Sequence, residues 1–249
     1  MSRPKKRPVC LITGASAGIG AACATLAAPD YDLALNYRSD DAGAEAVKIA
    51  CEAQGARVIL CKGDVADPAQ IEAIFAKVDA HFTTLDALIN NAGIVGQTAR
   101  VTDLTYERMR HMFDVNVIGA ILVAKEAVLR MEKQGSGGIV NISSAAARLG
   151  SANTYVDYAA TKAAIDTFTK GLSDEVSASG IRVNAVRPGL IETEIHAKGG
   201  EPDRAARLAT GVPMQRTGSA EEVARGILWL LSDAASYVTG TTLDVTGGR

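Results

Sequence analysis

The chain has 249 residues, and its 26 Lys and Arg residues against 28 Asp and Glu residues give a formal net charge of −2 at pH 7. This balance excludes the basic excess of a duplex nucleic-acid binder, and the 47% share of hydrophobic residues excludes a disordered chain. No apolar run reaches the roughly 18 residues of a membrane-spanning helix, so we expect no membrane partner.

Short apolar segments alternate with longer helical segments along the whole chain. The predicted strands are Val9–Thr13, Leu33–Tyr37, Val58–Cys61, Ala87–Asn90, Gly138–Ser143, Ile181–Val186 and Thr242–Val245. The predicted helices between them are Ile19–Ala27, Gly43–Gln54, Ala69–Phe82, Thr105–Lys133, Tyr155–Ser179 and Ala220–Leu231. This alternation predicts an α/β fold of the Rossmann type, in which a doubly wound, seven-stranded parallel sheet carries helices on both faces.

No linker or repeat divides the chain, so we expect a single domain over residues 1–249 with a basic tail at residues 1–6. The segment 190–215, rich in Gly and Pro, interrupts the alternation directly after a predicted strand. Ligands of open α/β sheets bind beyond the carboxyl ends of the strands. We therefore predict that this segment covers a substrate, with a plain surface excursion as the alternative.

The cysteines and histidines give no sign of a metal site. Cys10, Cys23, Cys51 and Cys61 contain no C-x-x-C pair, and the three histidines are isolated, so we expect no bound metal. Free thiols are typical of a reducing compartment, which predicts a cytoplasmic protein.

A glycine-rich turn joins the first predicted strand to the first predicted helix. Gly14, Gly18 and Gly20 follow a G-x-x-x-G-x-G spacing. Glycine lets the backbone approach a pyrophosphate, and the helix N-terminus offers free N–H groups. Ser16 can add a hydroxyl donor, and Ile19 lies within the same turn. These five residues predict a dinucleotide phosphate site, although three glycines can also serve a turn alone.

The end of the second predicted strand favours NADP(H) over NAD(H) as the cofactor. An NAD site usually places an acidic residue there to bind the ribose 2′-hydroxyl, but this strand ends in Arg38 and Ser39. A guanidinium group suits a 2′-phosphate. NAD(H) remains possible because Asp40 and Asp41 follow, and Arg38 could simply face the solvent.

Tyr158 and Lys162 lie four residues apart in a predicted helix and therefore share one face. A lysine ammonium group and an oxidised nicotinamide ring would both favour the phenolate form of the tyrosine. Tyr158 could then exchange a proton with a substrate oxygen. Ser143 and Ser144 close the fifth predicted strand, where a hydroxyl group can donate to that oxygen or simply cap the chain.

Together these motifs resemble the short-chain dehydrogenase/reductase family over about residues 7–248. The segments that carry the resemblance are 13–20, 64–65, 90–93, 115–116, 141–144, 158–162 and 188–189. Within the family, the chain is most similar to the branch of oxoacyl-carrier-protein reductases and glucose dehydrogenase-like enzymes.

The resemblance implies a catalytic set. Tyr158 would be the acid and base, Ser144 would orient the substrate oxygen, and Lys162 would lower the pKa of Tyr158 and hold the nicotinamide ribose. Asn116 would position a water molecule that links Lys162 to the solvent. Asp157, directly before Tyr158, is expected to point away from the phenol.

The resemblance also implies further cofactor contacts and an assembly. The carboxylate of Asp64 would contact the adenine ring, whose pocket Val65 would line. The other implied cofactor contacts are Asn91, Gly93, Ile191 and Thr193. The chain would form a homotetramer through the predicted helices 105–133 and 155–179.

The predicted function is reversible hydride transfer between NADP(H) and a small carbonyl or alcohol substrate. One alternative is an NAD-preferring sugar or polyol dehydrogenase, and another is a non-catalytic protein that senses a dinucleotide. The stretch from Ser144 to Tyr158 is one residue longer than the commonest family spacing, which argues against assuming an acyl-carrier substrate.

Overall fold

Seven parallel strands form one sheet in the order β3-β2-β1-β4-β5-β6-β7. Their bounds are β1 Val9–Ile12, β2 Asp32–Tyr37, β3 Val58–Lys62, β4 Ala87–Asn90, β5 Gly137–Ile142, β6 Ile181–Pro188 and β7 Thr242–Val245. Strand β1 pairs with β2 on one side and with β4 on the other. The strand order therefore reverses at β1, and a crevice opens there at the carboxyl ends of the strands.

The computed structural model describes residues 7–193 and 207–249. The predicted tail 1–6 and residues 194–206 of the predicted substrate segment 190–215 lie outside the described residues. Helices in the described parts are α1 Gly18–Ala27, α2 Asp41–Glu52, α3 Pro68–His81, α4 Tyr106–Phe113, α5 Ala120–Gln134, α6 Ala146–Leu149, α7 Val156–Val176 and α8 Ala220–Leu231.

Two apolar cores sandwich the sheet, because the central strands are buried on both faces. One core packs α1, α2 and α8 against the sheet, with Cys23, Cys51 and Ile227 among its residues. The other packs α3, α5 and α7 on the opposite face, with Phe75 and Met131 at its centre. The predicted doubly wound fold with helices on both faces is thus confirmed.

Most predicted elements end within one or two residues of the observed ones, and β4, β7 and α8 match. The main error is the predicted helix Thr105–Lys133, which is not continuous. A π-helical segment, Asp114–Gly119, separates α4 from α5. At the end of this segment, Gly119 packs against the loop between β3 and α3. A Cβ atom at Gly119 would lie 2.3 Å from the carbonyl oxygen of Val65 in that loop.

All four cysteines are buried and free. No group of metal-ligating side chains occurs among the described residues. In the same part of the chain, no helix combines the length and apolar character needed to cross a bilayer.

Candidate active site

One continuous cleft runs along the carboxyl ends of the strands on both sides of β1. A cavity of about 370 Å³ lies over β1 and β2, and a cavity of about 550 Å³ lies over β5 and β6. The two cavities share Ile19, Asn91, Gly93 and Thr193 in their walls. The first cavity adds the predicted residues Gly14, Ser16, Gly18, Arg38, Ser39, Asp64 and Val65. The second adds the predicted residues Ser144, Tyr158, Lys162 and Ile191.

The glycine turn is fixed by side chains at the ends of β1 and β4. The Thr13 hydroxyl oxygen accepts the backbone N–H groups of Asn91 and Ala92, each at 2.9 Å. The side-chain amide of Asn91 donates to the carbonyl oxygens of Thr13 at 2.9 Å and Gly14 at 3.1 Å. Gly14 and Gly18 adopt positive φ angles of 64° and 56°. This turn therefore has a fixed shape before any ligand enters.

The turn leaves the start of α1 open to an anion. Ala17, the residue that precedes the helix, makes no side-chain hydrogen bond to its first N–H groups. These groups point at the cleft and carry the positive end of the helix dipole. The turn fits the pyrophosphate of a dinucleotide, since its backbone is bare where a phosphate would approach.

Gly20 differs from the other predicted cofactor residues, because it is buried and does not line the cleft. A Cβ atom at Gly20 would lie 2.3 Å from the carbonyl oxygen of Gly14 and 2.7 Å from the Asn91 amide nitrogen. Gly20 thus packs directly against the glycine turn, on its buried side. Its observed role is close packing of helix against turn, and its contact with a cofactor stays a prediction.

The smaller cavity, over β1 and β2, contains the Arg38 guanidinium group where the sequence predicted it. The Arg38 side chain is 56% exposed, and its Nη1 lies 3.9 Å from Oδ2 of Asp64. The two following acids are engaged elsewhere. Asp40 accepts the N–H of Gly43 at the start of α2, and Asp41 binds Lys62 at 2.7 Å. Asp41 does not line the cleft, whereas Asp40 lines the smaller cavity together with Arg38.

Tyr158 and Lys162 lie one turn apart on α7, and both side chains face the cleft. Lys162 Nζ lies 5.7 Å from the centroid of the Tyr158 ring and donates to the carbonyl oxygen of Ile142 at 2.7 Å. The Ser143 hydroxyl donates to the Lys162 carbonyl oxygen at 3.1 Å. Both serines line the larger cavity, but Ser143 is buried and its hydroxyl is bound to α7, which is a structural role.

Burial sets the pKa values of this pair. It raises the pKa of Tyr158 to about 12, and a hydrogen bond with Ser144 works in the opposite direction. It lowers the pKa of Lys162 to about 8, opposed by the Asp166 carboxylate. In the protein alone, the phenol of Tyr158 is therefore protonated at neutral pH. Burial dominates the pKa of Tyr158 in the protein alone, so the expected lowering by Lys162 together with an oxidised nicotinamide ring stays a prediction.

Asn116 lies in the π-helical segment, where the wider turn directs its side chain inward. Its Oδ1 accepts the N–H of Ile94 at 2.8 Å, and its Nδ2 donates to the Ile94 carbonyl oxygen at 2.9 Å and to the Thr161 hydroxyl at 3.2 Å. A Cβ atom on Gly93 would lie 3.2 Å from Asn116 Oδ1 and 3.4 Å from Lys162 Nζ. Asn116 and Lys162 therefore face the same narrow space beside Gly93.

Asp157 points away from the phenol, as expected, and binds a residue that the sequence did not single out. Its carboxylate forms a two-point ion pair with Arg108 of α4, at 2.7 and 3.2 Å. Its Oδ1 also accepts the backbone N–H of Tyr158 at 3.0 Å. Arg108 thereby ties α4 to the first turn of α7. No sequence signal pairs two residues 49 positions apart, so this contact could be found only in the structure.

The far end of the larger cavity combines apolar, polar and charged side chains. The apolar side chains of this wall are Val95, Leu149, Tyr155, Leu190 and Leu208, and Arg207 and Arg249 also line the cavity. The rim between α6 and α7 contains the lengthened stretch. Ser151 and Asn153 adopt positive φ angles of 49° and 58° there, a conformation that costs non-glycine residues about 1 kcal/mol each.

Comparisons with known proteins agree with this geometry. A family model described as enoyl-(acyl carrier protein) reductase matches residues 14–249. The "uncharacterized oxidoreductase YgfF" of Escherichia coli (strain K12) is 51% identical over 97% of this chain and 99% of its own length. Glucose 1-dehydrogenase 2 of Bacillus subtilis (strain 168) is 35% identical over 96% of this chain and 93% of its own length.

A solved structure extends the agreement from sequence to coordinates. The 3-ketoacyl-(acyl-carrier-protein) reductase of Brucella melitensis, crystallised with NADH, matches with a TM-score of 0.89 and 29% identity, covering 97% of this chain and 98% of that one. The resemblance seen in the sequence motifs is thus confirmed. The chain belongs to the short-chain dehydrogenase/reductase family, in the branch of the oxoacyl-carrier-protein reductases and glucose dehydrogenases.

Proposed function

We propose that the protein interconverts a carbonyl compound and the corresponding alcohol, with NADP(H) as the preferred cofactor and Tyr158 as the acid and base. One observation carries the proposal: Ser144, Tyr158 and Lys162 line the same continuous cleft as the glycine turn. A bound nicotinamide dinucleotide would supply or accept the hydride. The residues of the chain would place the substrate oxygen and move its proton.

During reduction, the Tyr158 hydroxyl would donate its proton to the substrate oxygen while the Ser144 hydroxyl donates a hydrogen bond to it. The pKa of Tyr158, about 12, keeps the phenol protonated and ready to donate at neutral pH. The ammonium group of Lys162 would stabilise the phenolate that remains. Asn116 would support the return of a proton through the space beside Gly93, which it shares with Lys162. This is the proposed role of Asn116 as the fourth catalytic residue.

The remaining cofactor assignments follow from position in the cleft. Gly14, Gly18 and Ser16 would surround the pyrophosphate, and Asp64 with Val65 would border the adenine ring. At the proposed reacting end, Ile191 and Thr193 line the same larger cavity as Lys162. The backbone bridge between Ile191 and Gly218 fixes the first of these positions.

A panel of ketones, aldehydes, sugars and secondary alcohols, followed by the absorbance of NADPH and NADH, tests the proposal. We expect turnover with at least one carbonyl or alcohol class. The absence of turnover across the panel, together with tight NADPH binding, would contradict the proposal and support the dinucleotide-sensing alternative. Because Val95, Leu149 and Leu190 give part of the larger cavity an apolar wall, we expect ketones with hydrocarbon substituents to be reduced faster than free sugars.

The preference for NADP(H) rests on Arg38 and has its own test. Replacing Arg38 by Ala should weaken NADPH binding about 10- to 100-fold, the loss expected for a charged hydrogen bond to phosphate. NADH binding should change little, because its ribose carries no phosphate. Dissociation constants from cofactor fluorescence measure both effects. Arg110→Ala is the control. Arg110 lies on α4 outside the cleft and pairs with Asp114, the first residue of the π-helical segment. An unchanged ratio of the two constants would show that Arg38 has no such role.

An NAD-preferring sugar or polyol dehydrogenase is the second candidate. The proximity of Asp64 to Arg38, at 3.9 Å, offsets part of the positive charge that a 2′-phosphate would meet. The relative named glucose 1-dehydrogenase 2 points to the same class. Faster turnover of sugars with NAD than of ketones with NADPH would favour this candidate.

We also propose a homotetramer, and the surface of α4 and α5 supports it. Large apolar side chains are exposed along this surface, at Tyr106, Met109, Phe113, Ile118 and Leu129. Isolated exposed apolar residues are common, but a row of them along adjoining helices is typical of an interface. Sedimentation velocity should give about four times the mass of the chain. A monomer at micromolar concentration would contradict the proposal.

The compartment is proposed from the thiols. Cys10, Cys23, Cys51 and Cys61 are all free and buried. Burial raises the pKa of Cys51 and Cys61 to about 11, so neither is a reactive thiolate at neutral pH. Free thiols support a cytoplasmic location.

A further inference from the structure

A two-point ion pair lies directly beside the proposed catalytic tyrosine. Its carboxylate belongs to Asp157, the residue before Tyr158, and its guanidinium group belongs to Arg108 of α4. The Asp157 side chain is only 1% exposed, and the Arg108 side chain is 20% exposed. In the described parts of the chain, neither forms an ion pair with another residue. Such a pair holds its two helices in one arrangement, because separating the charges would leave one of them buried and unpaired.

Tyr158 lies in the first turn of α7, where the backbone N–H groups have no partner within the helix. The N–H of Tyr158 donates instead to Oδ1 of Asp157 at 3.0 Å. The next N–H, that of Ala159, donates to the carbonyl oxygen of Tyr155 at 2.9 Å. Tyr155 precedes the helix and supplies no side-chain cap. The backbone of Tyr158 is thus held by a carboxylate that α4 in turn fixes.

The same guanidinium group packs against the loop that follows β4. A Cβ atom on Gly96 would lie 2.9 Å from Cζ of Arg108, so the guanidinium group lies against bare backbone there. Two residues earlier in this loop, the backbone of Ile94 is held by the side chain of Asn116. Val95, between these two anchors, lines the larger cavity. Arg108 therefore contacts both the start of α7 and the loop that contributes Val95 to the cavity wall.

We propose that Arg108 and Asp157 are positioning residues for Tyr158: their ion pair fixes the first turn of α7 and the loop after β4, and so holds the phenol in place in the larger cavity. Neither residue lines the cleft itself. A displacement of about 1 Å at a catalytic group can cost about 100-fold in rate. The effect on turnover rests on the proposed function, whereas the placement of the phenol does not.

The placement is tested by NMR of protein that carries ζ-¹³C-labelled tyrosine, without substrate or cofactor. The resonance of Tyr158 is assigned by its loss in Tyr158→Phe. Asp157→Asn removes the negative charge but keeps an oxygen for the N–H of Tyr158, and Arg108→Gln removes the guanidinium group. Each change should displace or broaden the Tyr158 resonance. Arg108→Lys keeps the positive charge without the two-point geometry, so its effect should be smaller.

The same variants test the effect on turnover. With the best carbonyl substrate, the turnover number of Asp157→Asn and Arg108→Gln should fall about 10- to 100-fold. The dissociation constant of NADPH should change little, because neither residue borders the glycine turn. Asp79→Asn is the matched control: Asp79 forms the same kind of two-point pair with Arg130, at 2.9 and 2.6 Å, outside the cleft. It should leave the Tyr158 resonance and the turnover number unchanged.

Thermal unfolding and sedimentation velocity verify that each variant is folded and assembled like the unmodified protein. A single change that leaves a buried charge without its partner is strongly destabilising. If this prevents folding, the double variant Arg108→Met with Asp157→Asn takes its place, because it removes both charges. It should show the same displaced resonance and the same loss of turnover.

An unmoved Tyr158 resonance in folded Asp157→Asn and Arg108→Gln would overturn the inference, whether or not turnover is found. A displaced resonance with normal turnover would also overturn it, because turnover would then not depend on the placement. Equal changes in Asp79→Asn would do the same, since they would indicate a general disturbance. If the resonance moves as expected but the unmodified protein reduces no carbonyl compound, the proposed function is wrong and the placement of the phenol by the ion pair stands.

Discussion

Replacing Tyr158 by Phe should reduce the turnover number by about 1,000-fold, the usual contribution of a positioned acid or base. The change removes one buried hydroxyl group, which interacts with Ser144, and keeps the ring that lies beneath Lys162. The dissociation constant of NADPH should therefore change little. Steady-state rates with the best substrate of the panel and cofactor fluorescence measure the two quantities.

The control for this substitution is Tyr106→Phe. Tyr106 has Arg110 four residues later and so repeats the tyrosine–cation spacing, but it is exposed on α4 and lies outside the cleft. Its turnover should equal that of the unmodified protein, because the substitution keeps the exposed ring that the proposed tetramer interface would cover. Normal turnover in Tyr158→Phe would remove Tyr158 from the mechanism. A loss of both turnover and NADPH binding would indicate damage to the cleft instead.

Replacing Gly20 by Ala should impair cofactor binding through packing alone. The added Cβ atom would lie 2.3 Å from the Gly14 carbonyl oxygen and 2.7 Å from the Asn91 amide. Neither neighbour can easily move, because Asn91 binds both Thr13 and Gly14. We expect a loss of about 2 kcal/mol in the free energy of unfolding, typical of overpacking. NADPH binding should weaken at least about 10-fold, because the shape of the turn must change.

Gly171→Ala is the matched control, because a Cβ atom at Gly171 meets nothing within 4 Å. Gly171 lies within α7, where alanine is the better helix former, so this variant should gain about 0.5–1 kcal/mol. Urea unfolding measures both changes. Equal stability and equal NADPH affinity in Gly20→Ala and the unmodified protein would show that the turn adapts, contrary to the fixed shape described above.

The sheet could be predicted from the sequence because the central strands are buried on both faces and therefore appear as apolar runs. The burial of every residue of β2 illustrates this. The break at Asn116 could not be predicted in the same way. The helical pattern of residues 105–133 continues through it, and the π-helical turn depends on contacts of Asn116 with Ile94 and Thr161. Such long-range hydrogen bonds leave no periodic signal.

The cleft was predictable where short motifs lie at strand ends, as for Gly14 and Tyr158. The ion pair next to Tyr158 was not, since Arg108 reaches Asp157 across 49 positions.

The wide turn between α4 and α5 also fixes how the later helix is rotated about its own axis. Each residue advances a helix by about 100°, so one residue fewer in the segment 114–119 would rotate all of α5 by that angle. Val123, Ala127 and Met131, which now pack beneath the sheet, would then turn sideways. The backbone irregularity that holds the Asn116 amide between Ile94 and Thr161 is thus also required for the packing of a fifteen-residue helix.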